Sequence, residues 1–157
     1  MGNHSDTARG LFEQGYNCAQ SVFAAFCDET GLDVDVALRL SSSFGGGMGR
    51  LREVCGAVTA MFMIAGIKYG YSDPFDSDAK QAHYCLVQAL AQRFKETNGS
   101  YICRELLGLD AGADSPIPQI RTKEYYQTRP CADLVVHAAY ILDELISKNG
   151  RINREKL

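Results

Sequence analysis

The chain has no tryptophan, only four prolines, and no apolar run long enough to cross a bilayer. A spanning helix needs about 20 apolar residues. The longest run here, Val54 to Ile67, is shorter and carries Gly56, Thr59 and Gly66. It reads as a buried core helix, and no membrane span is expected. A basic stripe is also missing: sixteen Lys and Arg are scattered among nineteen Asp and Glu, for a net charge of −3. Nucleic acid is therefore not an expected partner. The first residues, Met1-Gly2-Asn3-His4-Ser5-Asp6, lack a basic segment followed by an apolar run and a small-residue cleavage site, so the expected location is the cytoplasm of a bacterial-type cell.

What is present describes a folded domain. The composition is 46% hydrophobic and 22% charged over 157 residues, a size that suits one core. Helical periodicity dominates and strand-type alternation is absent, so the expected fold is all-α: one compact domain over 1–157, a bundle of about five or six helices, with a frayed polar tail from about 151.

Helices are expected from Asp6 to Gln14, from Asn17 to Thr30, over Asp33 to Leu40, along the apolar run after Cys55, from Phe75 to Glu96, from Tyr101 to Leu107, and from Pro130 to near Gly150. Asn17 and Gln20 have the spacing of a capping box, and Gly31 supplies a stop. Gly45-Gly46-Gly47-Met48-Gly49 forms the main flexible loop, and 110–128 reads as the longest irregular stretch. Seven of the tyrosines, Tyr69, Tyr71, Tyr84, Tyr101, Tyr125, Tyr126 and Tyr140, are assigned to ordinary packing at the edge of the core.

Six cysteines without an export signal point to reduced thiols, metal ligands or catalytic groups rather than a disulfide framework. On the helix map, Cys18, Cys55, Cys103 and Cys131 fall at or near helix N-termini. Unpaired N–H groups and the positive end of the helix dipole favour a thiolate there. Arg50, Arg52 and Arg104 would add positive charge nearby. Cys27 and Cys85 fall late in one helix and midway along another, where a buried structural role is expected. The four are separated by 37, 48 and 28 residues, so no C-x-x-C knuckle or C-x-x-C-H haem signature is present. Only tertiary packing could assemble them.

Asn17-Cys18-Ala19-Gln20, Phe44-Gly45-Gly46-Gly47-Met48-Gly49, Cys55-Gly56-Ala57-Val58-Thr59-Ala60, Cys103-Arg104-Glu105-Leu106-Leu107-Gly108 and Cys131 together resemble the C_GCAxxG_C_C family. The resemblance spans roughly Asp6 to Ile146. It implies a redox-active protein with four hallmark cysteines, here Cys18, Cys55, Cys103 and Cys131, and a module related to one in split-Soret cytochromes. The departure is Ala60, where the family segment ends in glycine.

The expected function is a four-cysteine redox site. Its thiols either cycle with disulfides or bind an iron–sulfur cluster or zinc, in the service of electron transfer or oxidoreductase chemistry with an unidentified redox partner. The alternatives are a structural zinc module and a small-ligand binder in which backbone N–H groups of Gly45, Gly46, Gly47 and Gly49 cradle an anion. A homo-oligomer is compatible with the sequence. His83 and His137 are expected to be structural, His4 to lie in a mobile terminus, and Glu53, Glu105 and Asp133 to be ordinary helix-dipole partners.

Overall fold

A computed structural model describes residues 4–110 and 112–155 of the chain. The helices are α1 (His4–Glu13), α2 (Cys18–Ala25), α3 (Cys27–Thr30), α4 (Val34–Ser41), the one-turn α5 (Gly45–Met48), α6 (Gly56–Tyr69), α7 (Ser77–Asn98), α8 (Cys103–Leu106), α9 (Lys123–Thr128) and α10 (Cys131–Glu155). Among the described residues the fold is all-α, with six helices of eight residues or more and no strand. An isolated antiparallel bridge pairs Val54 with Ile102.

The centre of the bundle is α2, which touches α1, α4, α6 and α10, while α1 lies along α10. Its start is set by the expected capping box: the Gln20 N–H donates to the Asn17 side chain, and the Asn17 N–H donates to the Gln20 side chain. In α6, Ala57, Val58, Ala60, Met61, Ile64 and Ala65 are all fully buried, and small side chains among them let neighbouring helices approach closely. Phe12, Phe23, Phe26 and Phe94 fill the space between helices, each worth roughly 1.5–3 kcal/mol relative to an exposed ring.

Several boundaries differ from expectation. The Asn17 to Thr30 helix breaks at Phe26 (φ −105°, ψ 22°), whose fully buried ring turns into the core. The helix expected to begin near Tyr101 begins at Cys103, because the Ser100 hydroxyl accepts from the Ile102 N–H and keeps that residue extended. Part of the stretch read as irregular is helical: Thr122 caps α9 by accepting from the Tyr125 N–H. The last helix passes Gly150 and runs to Glu155, where a frayed tail was expected; 156–157 lie outside the described residues. His4 is tied down rather than mobile. Its ring bonds the Asp143 and Asp28 carboxylates and stacks on Phe26.

Candidate functional site

Each of the four cysteines stands at the head of a helix. Cys18 opens α2, Cys55 caps α6, Cys103 opens α8 and Cys131 opens α10. All four line one cavity of about 270 Å³. The Val54 to Ile102 bridge aligns two of them: the Cys55 N–H donates to the Tyr101 carbonyl at 2.9 Å and the Cys103 N–H to the Glu53 carbonyl at 2.6 Å. The Asn17 capping box fixes Cys18, and Pro130 precedes Cys131 at the mouth of α10.

The glycine loop lies against these helix starts. Gly45, Gly46 and Gly49 line the cavity. Gly47 sits behind its wall at φ +67°, where a Cβ would come within 2.6 Å of the Cβ of Cys103. Only glycine meets both demands. The chain stays in the left-handed region at Met48, Arg50 and Arg52, with φ of 68°, 68° and 60°. Non-glycine residues pay a conformational penalty there, which surrounding contacts must hold in place. Here the Arg52 and Glu53 N–H groups donate back to the Gly46 and Gly47 carbonyls, and the Asp114 N–H donates to the Arg50 carbonyl.

Arginine dominates the polar lining. Arg52, only 4% exposed, donates to Cys103 Sγ at 3.6 Å and to the Asp114 carboxylate at 3.0 Å. Arg50 shares that carboxylate and also bonds the Ser115 carbonyl. Arg121 and Arg129 line the same space. Neither of these last two stands out in the sequence, although Arg129 lies two residues before Cys131. Arg104, expected nearby, instead pairs with Glu53 outside the lining.

Cys55, Cys103 and Cys131 are pushed towards the protonated thiol, contrary to the expectation drawn from the helix termini. Burial drives Cys55 well above the usual thiol range, the charge of Cys18 adds to this, and the N–H groups of Ala57 and Val58 at the helix start pull back without prevailing. Cys131 is pushed up to about 12 by burial and then by the charges of Cys18 and Cys103. Cys103 also rises through burial, opposed by Arg52. The helix-terminus effect is real but smaller than the loss of hydration. Cys18 and Cys131 each couple electrostatically to the other three thiols.

Cys27 and Cys85 do not line the cavity. Cys27 is half-buried in α3, whereas Cys85 is exposed on α7, against the expected interior position. Glu105 accepts from Ser100 and Asp133 pairs with Arg9. His137 bonds Asn98 on α7, and His83 packs edge-on against Tyr71.

A four-thiol donor set has the right chemistry for zinc or an iron–sulfur centre. Its arrangement does not offer a ready ligand set: among the described residues, no group of three or more His, Cys, Asp or Glu side chains is placed to hold a metal ion. No helix among them is long and apolar enough to cross a membrane.

A family model described as "Putative redox-active protein (C_GCAxxG_C_C)" matches residues 16–145. No curated protein and no solved structure matches the chain.

Proposed function

The chain belongs to the C_GCAxxG_C_C family, and from that premise we propose that it is a thiol redox protein whose cavity cysteines exchange with disulfides. The observation that carries this reading is the convergence of four free thiols from four separate helix starts on one cavity. Cys18 and Cys131 are the half-buried members, while Cys55 and Cys103 are buried. The more accessible pair would meet a reagent first and the deeper pair would follow.

In the exchange step a cavity thiolate attacks one sulfur of an incoming disulfide and expels one thiolate, which takes up the proton that the attacking thiol lost. A second cavity thiol then gives up its proton and displaces the other half as a thiol. The sum is a protein dithiol and an external disulfide converted to a protein disulfide and two thiols. Cys18 and Cys131, each coupled to the other three thiols, are the partners through which a mixed disulfide would be resolved.

A metal-bound form is the competing reading. It is supported by the donor chemistry and by the mutual repulsion of the thiols, which a bound cation such as zinc or the irons of an iron–sulfur cluster would relieve. Anaerobically prepared protein separates the two. Exchange predicts a colourless chain that loses cavity thiols in pairs and reversibly against a graded redox buffer, with the loss absent when Cys18 and Cys131 are both serine. Stoichiometric iron with sulfide, or stoichiometric zinc, would replace it with the metal reading.

A further inference from the structure

Over the whole chain acidic residues outnumber basic ones, nineteen to sixteen. The cavity reverses that balance: Arg50, Arg52, Arg121 and Arg129 line it, and no Asp or Glu does. Arg50 and Arg52 share the single carboxylate of Asp114, which stands outside the lining. Arg121 and Arg129 have no carboxylate partner among the described residues. Arg121 donates to the carbonyls of Phe12 and Tyr16 at 3.3 and 3.2 Å, with its guanidinium 4.2 Å from the centre of the Phe12 ring and 4.8 Å from that of Tyr125. Arg129 donates to the Gln119 side chain and lies over the same tyrosine.

Stacking and carbonyl bonds fix where these cations stand without neutralising them. A guanidinium carries five N–H donors in a planar fork matched to a carboxylate, and Arg121 spends only two on the carbonyls. Both cations act on Cys131, whose thiolate each of them favours. Phe12, Leu106, Leu107 and Leu134 make much of the remaining wall apolar. At about 270 Å³ the space suits a small molecule rather than a folded domain. Its complement is a compact molecule with an apolar middle and negatively charged ends.

We infer that the cavity selects small disulfides bearing carboxylates, held by Arg121 and Arg129 so that the sulfur–sulfur bond faces the cavity thiols. This assignment rests on the exchange reading above and names its substrate class. The carboxylates take no part in the bond changes. Two protein thiols lose two protons and form one disulfide, and the bound disulfide takes both electrons and both protons to leave as two carboxylated thiols.

Three disulfides of similar size and different charge test it: dithiodiglycolate with two negative charges, 2-hydroxyethyl disulfide with none, and cystamine with two positive charges. The rate at which each oxidises the reduced full-length protein is divided by its rate with dithiothreitol, which removes intrinsic reactivity. The normalised rate should be highest for the dianion and exceed that of cystamine by on the order of 10-fold or more at low salt. The gap should narrow as ionic strength rises. Arg121→Gln and Arg129→Gln should each shrink it; Arg129 bonds only the exposed Gln119 side chain, so that variant serves if loss of the Arg121 carbonyl bonds prevents folding. Equal normalised rates for the three compounds would overturn the charge selection and leave the exchange reading standing. Failure of all three to oxidise the protein would overturn both.

Discussion

The Sγ of Cys18 lies 2.5 Å from the point where a Cβ on residue 56 would stand, so the first residue of α6 and the first residue of α2 are matched to each other across the cavity edge. The Phe44 carbonyl, 2.7 Å from the same point, closes the other side. The Cys-Gly pair at 55–56 thus has a steric meaning: the cysteine caps the helix and the glycine leaves room for the sulfur opposite.

Gly56→Ala should therefore both destabilise the fold and displace Cys18. Overpacking of this kind costs about 1–3 kcal/mol, visible as a lower urea midpoint. Mass-spectrometric labelling should show faster alkylation of Cys18 than in the parent chain. An unchanged midpoint with unchanged labelling would mean that the two helices are not in the contact described.

In the reduced, metal-free chain, labelling at pH 7 should order the cysteines by exposure and thiol acidity. Cys85, exposed on α7, should react first. Cys131, with its thiol pushed up to about 12, should react on the order of 100-fold or more slower than in the urea-unfolded chain, because the thiolate is the reactive form. Its rate should still be climbing with pH where that of an ordinary thiol has levelled off.

Asp114 is the strut between the 112–122 segment and the buried Arg52. Hydrogen bonding from Arg52 holds its carboxyl below the usual range, burial opposes this, and the Ser115 N–H and the charge of Arg50 assist. A lowered native pKa gives a contribution that is present above the ordinary carboxylate range and is lost as pH falls through the native value. Asp114→Asn should reproduce that loss at neutral pH. Hydrogen exchange would then rise in 112–122 and Cys103 would label faster, with the rest of the bundle unaffected.

The His4 ring ties α1 to α3 and α10. Burial would lower its pKa, but hydrogen bonds and charge from Asp143 and Asp28 outweigh that and raise it. A raised native pKa stabilises the fold fully below the unfolded value of about 6.5 and fades as pH rises through the native one. The thermal midpoint of the parent chain should therefore fall across that range, and the fall should flatten in His4→Ala. The same slope in both proteins would remove His4 from the account.

Local chemistry made much of this legible from the sequence. The Asn17 and Gln20 cap, the Gly31 stop and the apolar α6 follow from side chains a few residues apart, and they put Cys18 and Cys55 at helix starts without any knowledge of the fold. Tertiary effects stayed hidden. The break at Phe26 comes from a ring buried by other helices, and the start of α8 at Cys103, set locally by Ser100, is held in place by backbone pairing with Glu53, fifty residues away. Thiol acidity is not legible in the sequence for a related reason. The N–H groups at a helix start are visible in a sequence map, whereas the dehydration that outweighs them at Cys55 is a property of the packed interior. Arg121 gives no signal at all, because it stands in an irregular stretch ten residues from the nearest cysteine and its stacking partner Phe12 belongs to α1.

Because the four thiols are carried by four different helices, a covalent link between any two would tie together parts of the bundle otherwise joined only by packing and hydrogen bonds. The loops so closed are long, and long loops restrict the unfolded chain most, to about 4 to 5 kcal/mol for closure near 100 residues. A change in the electron count at the centre of this protein would then also alter how firmly its helices are bound, and resistance to proteolysis would track the oxidation state.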